Sequence, residues 1–330
     1  MRRFALLLLL AFLAPAAEAE AADRVRLLAL GPHAEIALLA YDSDWVEVSL
    51  KSGETRALTP PPTCGWAGAA FDPSAGGYAL LAHCVPELNC VTRRAALYRT
   101  DASGRLVHVA TAEGRRWRAP LWRAEGGAVI VVETALSPPE TRGLADLSTR
   151  SDCAEGPARL VELRVADGRR VALDFLPRGA EAEAPLGAAN GRLVARLRLK
   201  RGPALLEWDG EGWRPFAEAD AAEGRVLLSA DLATVARERC VAAREGRSGR
   251  AECAVEISGP SGDRRIEAER ALRSRLFGEI ALSADGGSLG ALLARPGLAP
   301  RRFTIHDVAG GPDRDLSDLL ALSAPWGEPR

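Results

Sequence analysis

The chain is nearly without lysine: of its 43 basic residues, only Lys51 and Lys200 are not arginine. That bias reads as genomic composition rather than as chemistry. The formal charge at pH 7 is −1, so no field of one sign gathers nucleic acid or acidic lipid. The four histidines, His33, His83, His108 and His306, form no i,i+4 pair and no His-x-His. No metal site, no cofactor and no catalytic residue is therefore expected, because a metal needs several donors converging at fixed spacing. Also missing are a Cys-x-x-Cys, a Gly-x-Ser-x-Gly elbow, and a glycine-rich loop followed by a helix and a lysine. Long apolar runs are absent except Ala5–Leu13, too short for a bilayer, which needs about 20 residues. Arg2 and Arg3 precede that run and Ala17-Glu18-Ala19 follows it. Residues 1–19 therefore read as a signal peptide, with cleavage after Ala19 or Ala21, and the expected location is periplasmic or secreted.

What the sequence does have is a phrase that returns: an apolar run, a polar turn, a second apolar run. It reads Ala70-Phe71-Asp72-Pro73-Ser74-Ala75-Gly76-Gly77-Tyr78-Ala79-Leu80 and again Leu282-Ser283-Ala284-Asp285-Gly286-Gly287-Ser288-Leu289. Degenerate copies surround Glu125, Asn190 and Asp231. Turns at 72, 125, 190, 231 and 285 are spaced by 53, 65, 41 and 54 residues, a period that belongs to propellers and solenoids. Each unit divides into four short strands, a to d, bounded by Gly, Pro, Asp and Ser. The fold expected is all-β, a six-bladed β-propeller of four-stranded antiparallel blades. The blades fall at about 24–60, 64–112, 117–176, 184–218, 224–269 and 277–318, in a single domain over 24–318 with a tail over 319–330. The segment from Ser229 to Glu245 has apolar residues at helical spacing, but the repeat frame requires strands there. Residues 267–276 are compatible with a helical turn between the last two blades.

These units resemble the degenerate repeats of TolB-type six-bladed propellers, whose mark is a Ser-Pro-Asp-Gly-like turn between strands a and b. Ser283-Ala284-Asp285-Gly286 and Phe71-Asp72-Pro73-Ser74 carry the resemblance. It implies the propeller alone, since the chain has no room for the separate N-terminal α/β domain of TolB, and it carries over none of TolB's partners. The string at 283–287 also resembles a sialidase Asp-box, but it falls between strands a and b and has Gly290 in the aromatic slot.

An exported chain meets an oxidising compartment, so its six cysteines are expected to form disulfides. Cys84 ends strand b of blade two with Cys90 just beyond. Cys240 and Cys253 occupy the equivalent hairpin of blade five. The expected bridges are Cys84–Cys90 and Cys240–Cys253, leaving Cys64 and Cys153 to pair across blades two and three.

The unusual material lies on the face that carries the b–c loops. A long loop runs over 137–157, a length at which loops are often functional, and the blade-five loop holds Arg244, Arg247 and Arg250. Trp66, Trp117 and Arg118 begin strands a on the same face. Tryptophan and arginine dominate binding hot spots, so these six are the candidate binding residues. Inter-blade packing is the competing reading for the tryptophans, and a solvated loop for the arginines. The function expected is a monomeric binding or scaffold propeller for a protein or cell-envelope partner. The alternative is a lyase or glycan-hydrolase type enzyme working in the central funnel.

Overall fold

The computed structural model describes residues 25–41, 44–74, 77–85, 90–101, 103–138, 153–216, 225–242, 251–267, 279–293 and 302–322. They form six antiparallel sheets, each from one continuous stretch of chain. Blade one is β1–β4 (Val25–Leu30, Ile36–Tyr41, Asp44–Ser49, Thr55–Leu58). Blade two is β5–β8 (Cys64–Phe71, Tyr78–Cys84, Arg94–Thr100, Leu106–Glu113). Blade three is β9 (Arg115–Trp122), β10 (Ala128–Ser137), a short β11 (Ala154–Glu155), β12 (Arg159–Arg164) and β13 (Arg170–Ala172). Blade four is β14–β17 (Glu181–Ala189, Arg192–Leu199, Gly202–Trp208, Trp213–Pro215). Blade five is β18–β21 (Val226–Leu228, Val235–Ala242, Ala251–Gly259, Gly262–Glu267). Blade six is β22–β25 (Glu279–Leu282, Ser288–Leu293, Arg302–Asp307, Arg314–Asp315), followed by helix α1 (Ser317–Leu322). The first strand of each blade contacts the first strand of the next, and β22 returns to β1. The result is a closed six-bladed β-propeller with strand a innermost, as the turn spacing predicts. Among the described residues, no helix is long and apolar enough to cross a membrane.

The sequence explains the layering. A strand b is covered on both faces by neighbouring blades, so it carries a continuous apolar run rather than an alternating one. Tyr78–Ala82 and Ala128–Val132 are buried throughout. Side chains of adjacent blades mix in single clusters, Leu81 and Leu97 of blade two with Val129 and Leu163 of blade three, for example.

Turns between strands a and b are built alike in blades five and six. Ser229 and Ser283 are buried, and their hydroxyls donate to Asp231 and Asp285 and accept from the amides of Thr234 and Ser288. The aspartates accept from Ala233 and Gly287 amides, the local bonding that suits Asp to turns. In blade two the closing pair is Asp72 with Gly77, so Asp72 occupies the place of Ser229 and Ser283, two residues ahead of Asp231 and Asp285. Residues 229–234 form this turn and 235–242 a strand, so the helical spacing there comes from the turn residue Leu232 added to strand residues. Residues 268–278 lie outside those described.

The disulfides correct the expected pairing. Cys64 bonds Cys84, and Cys90 bonds Cys153; neither Cys84–Cys90 nor Cys64–Cys153 forms. The reason is the start of β5: the strand begins at Cys64, not Trp66, which sets Cys64 directly opposite Cys84 in the ladder. Cys90 lies beyond the end of β6 and is left to reach blade three. The bridge between adjacent blades therefore exists, with a different partner for Cys153. Cys240 stands directly opposite Cys253 in the β19–β20 ladder, the facing position on which their expected bridge rests.

Candidate functional site

Antiparallel order puts the start of strands a and c and the end of strand b at one end of every blade. Between blades two and three, these ends enclose a cleft of about 470 Å³. Its basic wall comes from paired arginines, Arg93-Arg94 at the start of β7 and Arg115-Arg116 at the start of β9. His83, Val85, Leu136 and Glu155 complete most of the lining, and Cys84 and Cys153, one from each disulfide, stand in its walls. Cys90 is thus tied to Cys153 and Cys84 to Cys64 at the rim of the cleft, which lowers the entropy lost when a ligand is ordered there.

The charges are unevenly matched. Arg94 pairs with Glu113 at 3.2 Å, and Arg116 with Glu155. These pairs are solvent-exposed and worth about 1 kcal/mol or less each, so an incoming anion can compete for the guanidinium groups. Arg115 has no ion-pair partner among the described residues. His83 is neutral near pH 7: burial pushes its pKa down, against the opposing effect of its contact with the Trp117 carbonyl. Its Nε2–H donates to that carbonyl oxygen at 2.6 Å. It acts as a strut between the blades rather than as a charge in the cleft. Val85 and Val91, 39% and 57% exposed, are the large hydrophobic residues most open to water in the described chain, and both belong to the loop after β6.

The residues predicted from sequence fare differently. Trp117 is 1% exposed, and its indole Nε1 donates to Glu133 at 3.0 Å; it is a core residue with no face left for a partner. Trp66 is half-buried between Trp45 and Tyr98, and its Nε1 donates to the Leu58 carbonyl of blade one. Packing between blades accounts for both tryptophans. Arg118 is exposed on β9, two residues beyond Arg116. Arg244, Arg247 and Arg250 lie outside the described residues, as does the middle of the long loop, 139–152. That loop returns to the sheet as β11, pairing with Leu136 and Ser137. Sequence reasoning missed the cleft itself. The signal available was the doubled arginine at 93–94 and 115–116, each at the loop end of a strand.

The central channel has a different character. A cavity of about 230 Å³ is walled by Leu28, Phe71, Leu121, Leu186, Leu227 and Leu282 among other apolar residues. Near the start of the inner strands, Glu279 pairs with Arg26 and Arg225, and Glu183 with Arg198; Arg225 also pairs with Glu238 of β19. Among the described residues, no group of three His, Cys, Asp or Glu is placed to hold a metal ion.

Fold and cleft together define a disulfide-stapled six-bladed propeller with a basic loop face. No protein-family model matches the chain, and no curated protein matches it either. Among solved structures it is similar to TolB from Acinetobacter baumannii, with 12% identity, a TM-score of 0.47, and coverage of 87% of this chain and 61% of that one. It is also similar to a chain of a nidogen/laminin complex, with 13% identity, a TM-score of 0.46, and coverage of 81% and 87%. A puromycin-hydrolysing peptidase from Mycobacterium tuberculosis is a third, at 14% and 0.48, covering 85% of this chain and 42% of that one. The chain thus spans less than two thirds of the TolB and peptidase chains, and the likeness concerns the fold alone.

Proposed function

We propose that this protein is an exported binding propeller that receives a protein or cell-envelope partner on its b–c loop face. The observation that carries the reading is the convergence of four arginines in a cleft whose walls carry a cysteine from each of two disulfides. Rigid scaffolds that display loops are the usual carriers of binding sites, and arginine suits recognition of carboxylate and phosphate. The bridges also favour an oxidising compartment, in keeping with the signal-like residues 1–19. The alternative, an enzyme working in the central funnel, has less support. The channel wall is apolar, and Glu279 and Glu183 near the starts of inner strands β22 and β14 are engaged by arginines. Crosslinking in the native envelope tests the proposal. Reversing Arg244 and Arg247 together is expected to weaken partner capture while leaving the melting temperature nearly unchanged, and shortening the 137–157 loop with Cys153 retained is a separate second change expected to weaken capture. Capture that survives both changes places the docking surface elsewhere.

A further inference from the structure

We infer that the cleft between blades two and three takes an acidic peptide segment, one whose carboxylate sits beside an aliphatic side chain. The inference rests on the reading of this face as a docking surface and specifies what docks.

Three observations converge. First, the basic groups are guanidinium, whose planar fork grips a carboxylate through two parallel hydrogen bonds. Arg115 has no ion-pair partner among the described residues, and Arg116 is held only by the half-exposed Glu155. Glu155 thus stands where a foreign carboxylate would bind, an internal substitute that an incoming acid can displace or share. Second, Val85 and Leu136 line the cleft beside these charges and Val85 is exposed, and apolar surface beside a basic wall is of no use to a bare inorganic anion. An aliphatic residue next to an acidic one would cover it and remove apolar surface from water. Third, a cleft of about 470 Å³ is within the range of sites that enclose a small ligand or a few side chains. The bridge Cys90–Cys153 ties the blade-two side of the cleft to the blade-three side, and Cys64–Cys84 pins β5 to β6, so the walls are fixed relative to each other before anything binds.

The test is fluorescence anisotropy with the oxidised protein and a labelled hexapeptide carrying one glutamate between two valines. Binding is expected, and it should weaken about tenfold or more when the glutamate is replaced by glutamine, as loss of a charge-assisted pair implies. Serines in place of the valines should weaken it as well. Arg115→Glu should reduce affinity about tenfold or more, and Val85→Ser should reduce it by a smaller factor. Arg115 engages no ion pair among the described residues and Val85 is exposed, so both changes are expected to leave the fold intact. Arg169→Glu, an exposed arginine in the blade-three turn at the opposite end, should leave affinity unchanged. Peptide binding that ignores Arg115→Glu overturns the assignment. So does binding that inorganic phosphate abolishes while the valines are immaterial, or a protein that binds phosphatidylglycerol vesicles but not the peptide. If the peptide fails while partner crosslinking still depends on the loops, the cleft assignment alone falls. If the peptide binds and crosslinking ignores the loops, the cleft stands and the docking reading falls.

Discussion

Glu133 has no exposed surface, yet it carries a full charge. Burial pushes its pKa up, but hydrogen bonds from Arg170, Trp117 and Arg159 outweigh that and hold it at about 2. Its partners come from strands a, c and d of blade three and the carboxylate from strand b, so one side chain ties four strands together. Blade four repeats the device in part, Glu207 receiving Arg192 and Arg214. The arginine bias of the composition therefore has a chemical use, because a lysine cannot supply the two-pronged grip. Breaking a buried pair by removing one partner costs about 3–5 kcal/mol. Arg159 and Arg170 remain partly exposed and can turn to water, so Glu133→Ala should sit near 3 kcal/mol in urea unfolding. The sign of the pH dependence follows from the depressed pKa. The stabilisation from Glu133 is fully present above its ordinary value of 4.5 and is lost as pH falls from there to about 2. An acid titration of the wild type should show that loss, and Glu133→Gln should flatten it.

At the level of strands and turns, most of the architecture was legible from the sequence. Polar turns bounded by apolar runs are a local signal, and the Ser-Ala-Asp turns of blades five and six form from their own residues. The doubled start of β5 was not legible. Whether Cys64 lies in or before the strand depends on its pairing with β6, and that two-residue difference decided the bridges. Inter-blade packing was already a reading open to Trp117 from sequence, but its partner, the carboxylate of Glu133 16 residues on, was not visible there. The cleft was missed because its arginines are spread over two blades and come together only when the blades stack. Non-reducing peptide mapping is expected to recover Cys64–Cys84, Cys90–Cys153 and Cys240–Cys253. Stacking also constrains the turns. Gly168 lies at φ +67 in the blade-three turn, where an added Cβ would strike the Val109 carbonyl of blade two. Gly168→Ala should therefore cost about 2 kcal/mol, more than the conformational penalty alone, with a lowered melting temperature as the readout.

For the molecule as a whole, the weak point is the seam where blade six meets blade one. Among the described residues every blade is complete in itself, and no strand from one end of the chain is woven into the sheet of the other. Closure depends instead on a parallel bridge between Leu30 and Ser283, the pairs Arg26–Glu279 and His33–Asp285, and a shared apolar cluster. Leu316 and Leu319 around the start of α1 pack onto that cluster, and Ser317 caps the Phe303 amide. Leu319→Ser is expected to cost about 1–2 kcal/mol from lost apolar burial. Its signature should be spatial: limited proteolysis should begin in blades one and six while the middle blades resist.

Self-contained blades also set an order of assembly. Ladders inside a blade join neighbours in sequence, whereas Arg26 and Glu279 must meet across 253 residues. Bringing such distant ends together costs roughly 2–3 kcal/mol more than closing a hairpin-sized loop. A chain threaded outward from its N-terminus can thus complete blade one, then blade two, without waiting for the rest. An unclosed arc of five blades presents two raw apolar flanks until the sixth arrives, so the most aggregation-prone species on the route is the nearly finished ring.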